Sequence, residues 1–247
     1  MFLKRDYFEK KRKAFLIINT LYKTMFRAFP FQTDFFNHEI PLLKRKQSAF
    51  AIEDLPGLWR LHWQLGQITI FSTFYTRIDQ ACLLWGIISI IIFLTAQFAP
   101  IDWATQAFFW SGLTLLGTGA MIKLSEKWAT IEPLNHIISA WIFLMLAGLV
   151  LTDLSIFWGW APILTQLPLL WLALNAFGYL YTGVKMRSRA FLLICFVHLL
   201  AIATLSYVGV WQFLETGIVI GLSAVLLAEL QWDSSGVCAN HPLGEKP

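Results

Sequence analysis

Between residues 80 and 231 the sequence passes through six apolar stretches, at 80–99, 104–123, 134–155, 162–183, 190–210 and 213–231. Each is close to the roughly 20 residues of helix needed to cross a hydrocarbon core. Inside that core every backbone N–H and C=O must be paired within the segment, so such a run folds as a helix. The connections are too short to hold a soluble domain. The pattern predicts an all-α fold, a six-span helical bundle over residues 79–233. A basic, amphipathic cytoplasmic region over residues 1–78 precedes it, and a short cytoplasmic tail over residues 234–247 follows. Charged residues make up only 14% of the chain, against about 25% in ordinary soluble domains.

Charge placement sets the orientation. Of 19 Lys and Arg, 13 lie in the first 77 residues. The loop at 123–133 carries Lys123 and Lys127, and the loop at 185–189 carries Lys185, Arg187 and Arg189. The loops at 100–103, 157–161 and 210–213 carry neither Lys nor Arg, but hold Trp103, Trp158, Trp160 and Trp211. Cationic loops stay cytoplasmic and Trp collects at interfaces, so both termini are expected in the cytoplasm of a plasma or thylakoid membrane. The basic patches beside the spans point to anionic lipid headgroups rather than nucleic acid.

Residues 14–26 (AFLIINTLYKTMF) follow a KKRK run and read as a basic interfacial helix. Residues 55–75 have Leu58, Leu61, Leu65 and Ile68 at helical spacing. They are expected to form a second amphipathic helix, lying on lipid or docking a partner. Asp79 beside Arg77 reads as an interfacial ion pair.

Catalytic patterns are missing. The sequence has no phosphate-binding glycine loop and no HExxH, and its three cysteines form no CxxC. Gly217, Gly221, Ala224 and Ala228 form a small-residue stripe on the last span, and Ala107, Ser111, Thr114 and Thr118 a similar one on the second. Such stripes let helix backbones approach closely, against a partner in this chain or another. Pro168 stands where it can loosen the fourth span.

His198 is the deepest ionisable residue. Bis-histidine haem needs two imidazoles at one depth, and His136 lies too near its span's end to match it. A pigment with one axial ligand remains compatible. Asn175 and His198 stand equally far from the turn joining spans four and five, so an interhelical hydrogen bond is expected to satisfy both. The rival reading makes Asp153, His198 and Glu229 a proton or solute path, because intramembrane ionisable groups are functional candidates.

The phrases LTDLSIFWGW (151–160), RSRA (187–190), WQFLET (211–216) and AELQWD (228–233) resemble a group of uncharacterised multi-pass membrane proteins of cyanobacteria. The resemblance covers about residues 135–233. It implies a thylakoid or plasma membrane and a photosynthetic context, and assigns no residue a role. The expected function is a non-enzymatic accessory, assembly or scaffold protein contacting membrane lipids and other membrane-protein subunits. No cofactor is predicted. Alternatives are a small proton-coupled transporter and a pigment- or quinone-binding subunit.

Overall fold

The computed structural model describes residue 36 and residues 41–46, 58–65, 68–131 and 135–233. The chain divides into compact units at residues 1–38 and 39–247, and the described helices and strands all belong to the second. The expected interfacial helix at 14–26, as well as His38 and His241, lies outside the described residues.

The architecture is mainly helical. The helices are α1 (Arg77–Phe98), α2 (Trp103–Ile131), α3 (Asn135–Phe157), the short α4 (Ala161–Leu164), α5 (Leu167–Met186), α6 (Arg189–Val208) and α7 (Gln212–Glu229). Among the described residues five segments are long and apolar enough to cross a membrane, the last running from Arg189 to Glu229. That last segment is folded at a 3-10 turn, Gly209–Trp211, where Gly209 has φ +58°. The Asp233 carboxylate reaches the backbone N–H of Arg189 and Ala190 at 3.1 and 3.0 Å. α6 and α7 therefore run antiparallel. Gln97 of α1 pins the turn, donating to Val210 O at 3.1 Å and accepting from Leu214 N–H at 3.2 Å. Phe108, Leu116 and Phe143 are 71%, 73% and 70% exposed, the outward apolar surface expected of helices facing lipid.

Local chemistry explains the helix ends. Thr76 and Asp79 form a capping box at the start of α1. The fourth apolar run breaks into α4 and α5, which places Pro168 in the first turn of α5. There its missing N–H has no intrahelical partner to lose, so it starts the helix instead of loosening it. Arg187, at φ +50°, ends α5 in the left-handed conformation, and Ser188 N–H returns to Gly183 O at 2.9 Å.

The six long helices form a closed ring in the order α1, α2, α3, α5, α6, α7, and α7 returns to α1. The α1–α7 contact is the tightest, and the small residues of α7 are the reason. A Cβ on Gly217 would stand 2.6 Å from Phe93 Cβ, and one on Gly86 would stand 3.1 Å from Gly221 O. The partner for this stripe is in the same chain.

Residues 59–75 correct the helical expectation. They form an antiparallel hairpin, β2 (Trp59–Leu65) and β3 (Ile68–Tyr75), paired from Trp59↔Tyr75 to Leu65↔Ile68. The deciding pattern has period two: Trp59, Leu61 and Trp63 alternate with Arg60, His62 and Gln64. The second strand, ITIFSTFY, is rich in β-branched and aromatic residues. A second strand pair joins β1 (Leu43–Arg45) to β4 (Leu230–Trp232). Both pairs lie at the end of the bundle where α1 begins and α7 stops, here called the strand end.

Candidate intramembrane ligand site

A cavity of about 170 Å³ lies within the ring, lined by residues from α1, α2, α3, α5, α6, α7 and β4. On α1 the wall runs from Ile78 to Phe93, and on α5 from Trp171 to Met186. Each stretch is about 22 Å long at 1.5 Å rise per residue. Among the described residues of the wall there is no Asp, Glu, Lys, Arg or His. Its polar groups come from Ser, Thr, Asn, Tyr, Cys and indole side chains.

A repeated pattern builds two sides of the wall. Trp141, Gly148 and Thr152 on α3 have the spacing W-x6-G-x3-T, and Trp171, Gly178 and Thr182 repeat it on α5. The two helices use it reciprocally. Trp141 lies across Gly178 and donates its indole N–H to Thr182 Oγ1 at 3.0 Å. Trp171 lies across Gly148 and donates to Thr152 Oγ1 at 3.2 Å. Each Thr hydroxyl then donates to the carbonyl of its own helix's glycine at 2.8 Å. A side chain at either glycine would strike the indole, so the small residue makes the seat and the Thr supplies the acceptor. α1 and α2 are stitched similarly: Trp85 Nε1 reaches Met121 Sδ at 3.3 Å, and Trp110 donates to Thr95 Oγ1 at 2.9 Å. The spacing is visible in the sequence, but the reciprocity only in the packing.

The expected Asn175–His198 hydrogen bond is not formed. Asn175 Nδ2 donates to Trp171 O at 2.9 Å, and His198 Nδ1 to Ile194 O at 2.9 Å. Each thus donates to a carbonyl one turn back on its own helix. The ring facing His198 is Tyr179, one turn from Asn175, with centroids 5.1 Å apart. His198 Nε2 is buried without a hydrogen-bond partner. The residue is wholly buried and is not among the described residues of the cavity wall.

Asp153 and Glu229 lie apart from His198 in hydrogen bonding. Asp153 accepts from the Ser111 hydroxyl at 2.9 and 3.0 Å. Glu229 accepts from Tyr75 Oη at 2.5 Å. Among the described residues no hydrogen bond links any two of the three acid–base candidates. No three of His, Cys, Asp or Glu among the described residues are grouped to hold a metal.

The strand end is closed by charges that sequence spacing does not pair. Lys46, not Arg77, is the partner of Asp79. Its ammonium donates to Asp79 Oδ2 at 2.6 Å, to Ala228 O at 2.5 Å and to Phe74 O at 3.2 Å. Residues two apart on a helix do not face each other, whereas β1 brings Lys46 over the first turn of α1. Asp233 caps α6 from outside the helix, accepting from Ser188 Oγ at 2.9 Å and Arg189 Nε at 2.8 Å besides the two backbone N–H groups. Burial would raise its pKa, but the Arg189 guanidinium and these hydrogen bonds hold it below the ordinary carboxylate value. Burial and the Glu229 carboxylate together push the Tyr75 phenol up.

No family model, no curated protein and no solved structure matches the chain.

Proposed function

We propose that this chain is a six-span integral membrane protein, with both termini on the cytoplasmic side, that holds an apolar small molecule inside its helical ring. The observation that carries the reading is the uncharged cavity walled by every long helix. Binding sites are typically concave and apolar with a few placed polar groups, and sites between the helices of a bundle are common. Lys185, Arg187 and Arg189 gather at the strand end, which supports placing that end in the cytoplasm. The resemblance to multi-pass proteins of cyanobacteria makes a plasma or thylakoid membrane the expected setting.

This reading departs from an accessory or scaffold role resting on small-residue stripes. The α7 stripe is filled by α1. On α2, Ala107, Thr114 and Thr118 are buried and Ser111 is engaged by Asp153. The stripes are therefore occupied within the chain, and the cavity is the feature that calls for a partner. A quinone or pigment held without an axial histidine fits it better than a proton path through Asp153, His198 and Glu229. The test is an absorption spectrum of gently purified protein, followed by solvent extraction and mass spectrometry. The expected result is one apolar molecule per chain. Extraction of bulk bilayer lipids alone would count against the proposal.

A further inference from the structure

Several polar side chains of the cavity wall make no full set of hydrogen bonds among the described residues, the Ser89, Thr114 and Ser125 hydroxyls included, and two of them share one face of α5. Asn175 is 5% exposed and belongs to the wall. Its amide nitrogen is identified by the bond to Trp171 O, because a carbonyl accepts only from the NH₂ side. That leaves Oδ1, an acceptor, with no donor among the described residues. Tyr179 is 6% exposed and also lines the cavity. Its ring is fixed by Trp141, Phe191 and His198 at centroid distances of 5.1, 6.2 and 5.1 Å, and its hydroxyl makes no hydrogen bond among the described residues. The two lie four residues apart on α5 and so share one face.

Buried polar groups cost free energy unless they are paired. A carbonyl or ether oxygen can accept from Tyr179 but offers nothing to Asn175 Oδ1. A hydroxyl group can do both, accepting the phenol proton and donating its own to the amide oxygen. A charged ligand would find no counter-ion among the described residues of the wall. We propose that the occupant is a neutral, elongated apolar molecule bearing a hydroxyl group, such as an isoprenoid alcohol or a quinol, held through Asn175 Oδ1 and Tyr179 Oη. This rests on the proposal that the ring holds an apolar molecule.

The probe pair is all-trans-retinol and its methyl ether, titrated into full-length protein in nanodiscs and read by quenching of tryptophan emission. Retinol is expected to bind about tenfold more tightly than the ether, the scale set by pairing a buried polar group. Asn175→Leu should bring retinol down to the affinity of the ether while leaving the ether unchanged, which shows that the cavity is still folded. Tyr179→Phe should narrow the preference. Equal binding of alcohol and ether to the unaltered protein, or a preference that survives Asn175→Leu, overturns the hydroxyl inference and leaves the cavity reading standing. Failure of both probes to bind overturns both.

Discussion

Gly86 and Gly221 meet backbone to backbone across α1 and α7. A Cβ on Gly86 would stand 3.1 Å from Gly221 O, and a Cβ on Gly221 would stand 3.3 Å from Gly86 O. This reciprocal approach closes the helical ring. Gly221→Leu must push α1 away, and is expected to cost about 1–3 kcal/mol of stability. Gly119, whose added Cβ would meet nothing within 4 Å, is the control. Gly119→Ala should be neutral or stabilising by up to about 1 kcal/mol. Thermal unfolding in one detergent compares the two, and equal losses would contradict the packing account.

The two tryptophan seats give a pairwise prediction. Trp141→Phe and Thr182→Val each break the same indole–hydroxyl bond. A double-mutant cycle should return a coupling of about 0.5–1.5 kcal/mol. Trp141→Phe combined with Thr152→Val, in the other seat, should be additive.

Lys46 and Asp79 are both nearly inaccessible, with side-chain exposures of 5% and 7%. Lys46→Met leaves the Asp79 carboxylate buried without its cation, and should cost about 3–5 kcal/mol. Adding Asp79→Asn keeps an acceptor for the α1 cap and removes the stranded charge. The double variant should therefore be more stable than Lys46→Met alone, as read by denaturant unfolding.

Asp233 predicts a pH dependence. Its folded pKa is below the unfolded value of about 3.9. Its stabilisation is therefore complete above that value and is lost as pH falls through the lower folded pKa. Melting temperature measured from pH 6 downward should fall more steeply below about pH 4 in the natural protein than in Asp233→Asn. Parallel curves would show that the carboxylate does not act as the α6 cap.

The long helices are legible in the sequence because each announces itself within about twenty consecutive apolar residues, whereas Pro168 misleads, since a proline inside an apolar run reads as a loosened span when it in fact starts α5. The hairpin misleads because Leu58, Leu61, Leu65 and Ile68 fit a helix while Trp59, Leu61 and Trp63 fit a strand, and Leu61 belongs to both patterns. Depth arithmetic places His198 near the right part of α5 but not against the right residue, since depth carries no rotation and Tyr179 is the residue that faces it. Lys46 and Asp79 are 33 residues apart, across a stretch whose path no local rule fixes. The cavity itself is a property of how six helices close, and no single segment encodes it.

If the ring holds an apolar guest, filling the ring must weaken its binding. Cys82 lines the cavity from α1, so Cys82→Phe places a ring in that space. Retinol titrated into nanodiscs of the natural protein and of Cys82→Phe, with melting curves confirming that both are folded, gives two binding isotherms. Saturable one-to-one binding to the natural protein is expected, with affinity at least about tenfold weaker in the variant, since lost burial of a few CH₂ groups suffices for that. Identical, non-saturating partitioning into both would contradict it.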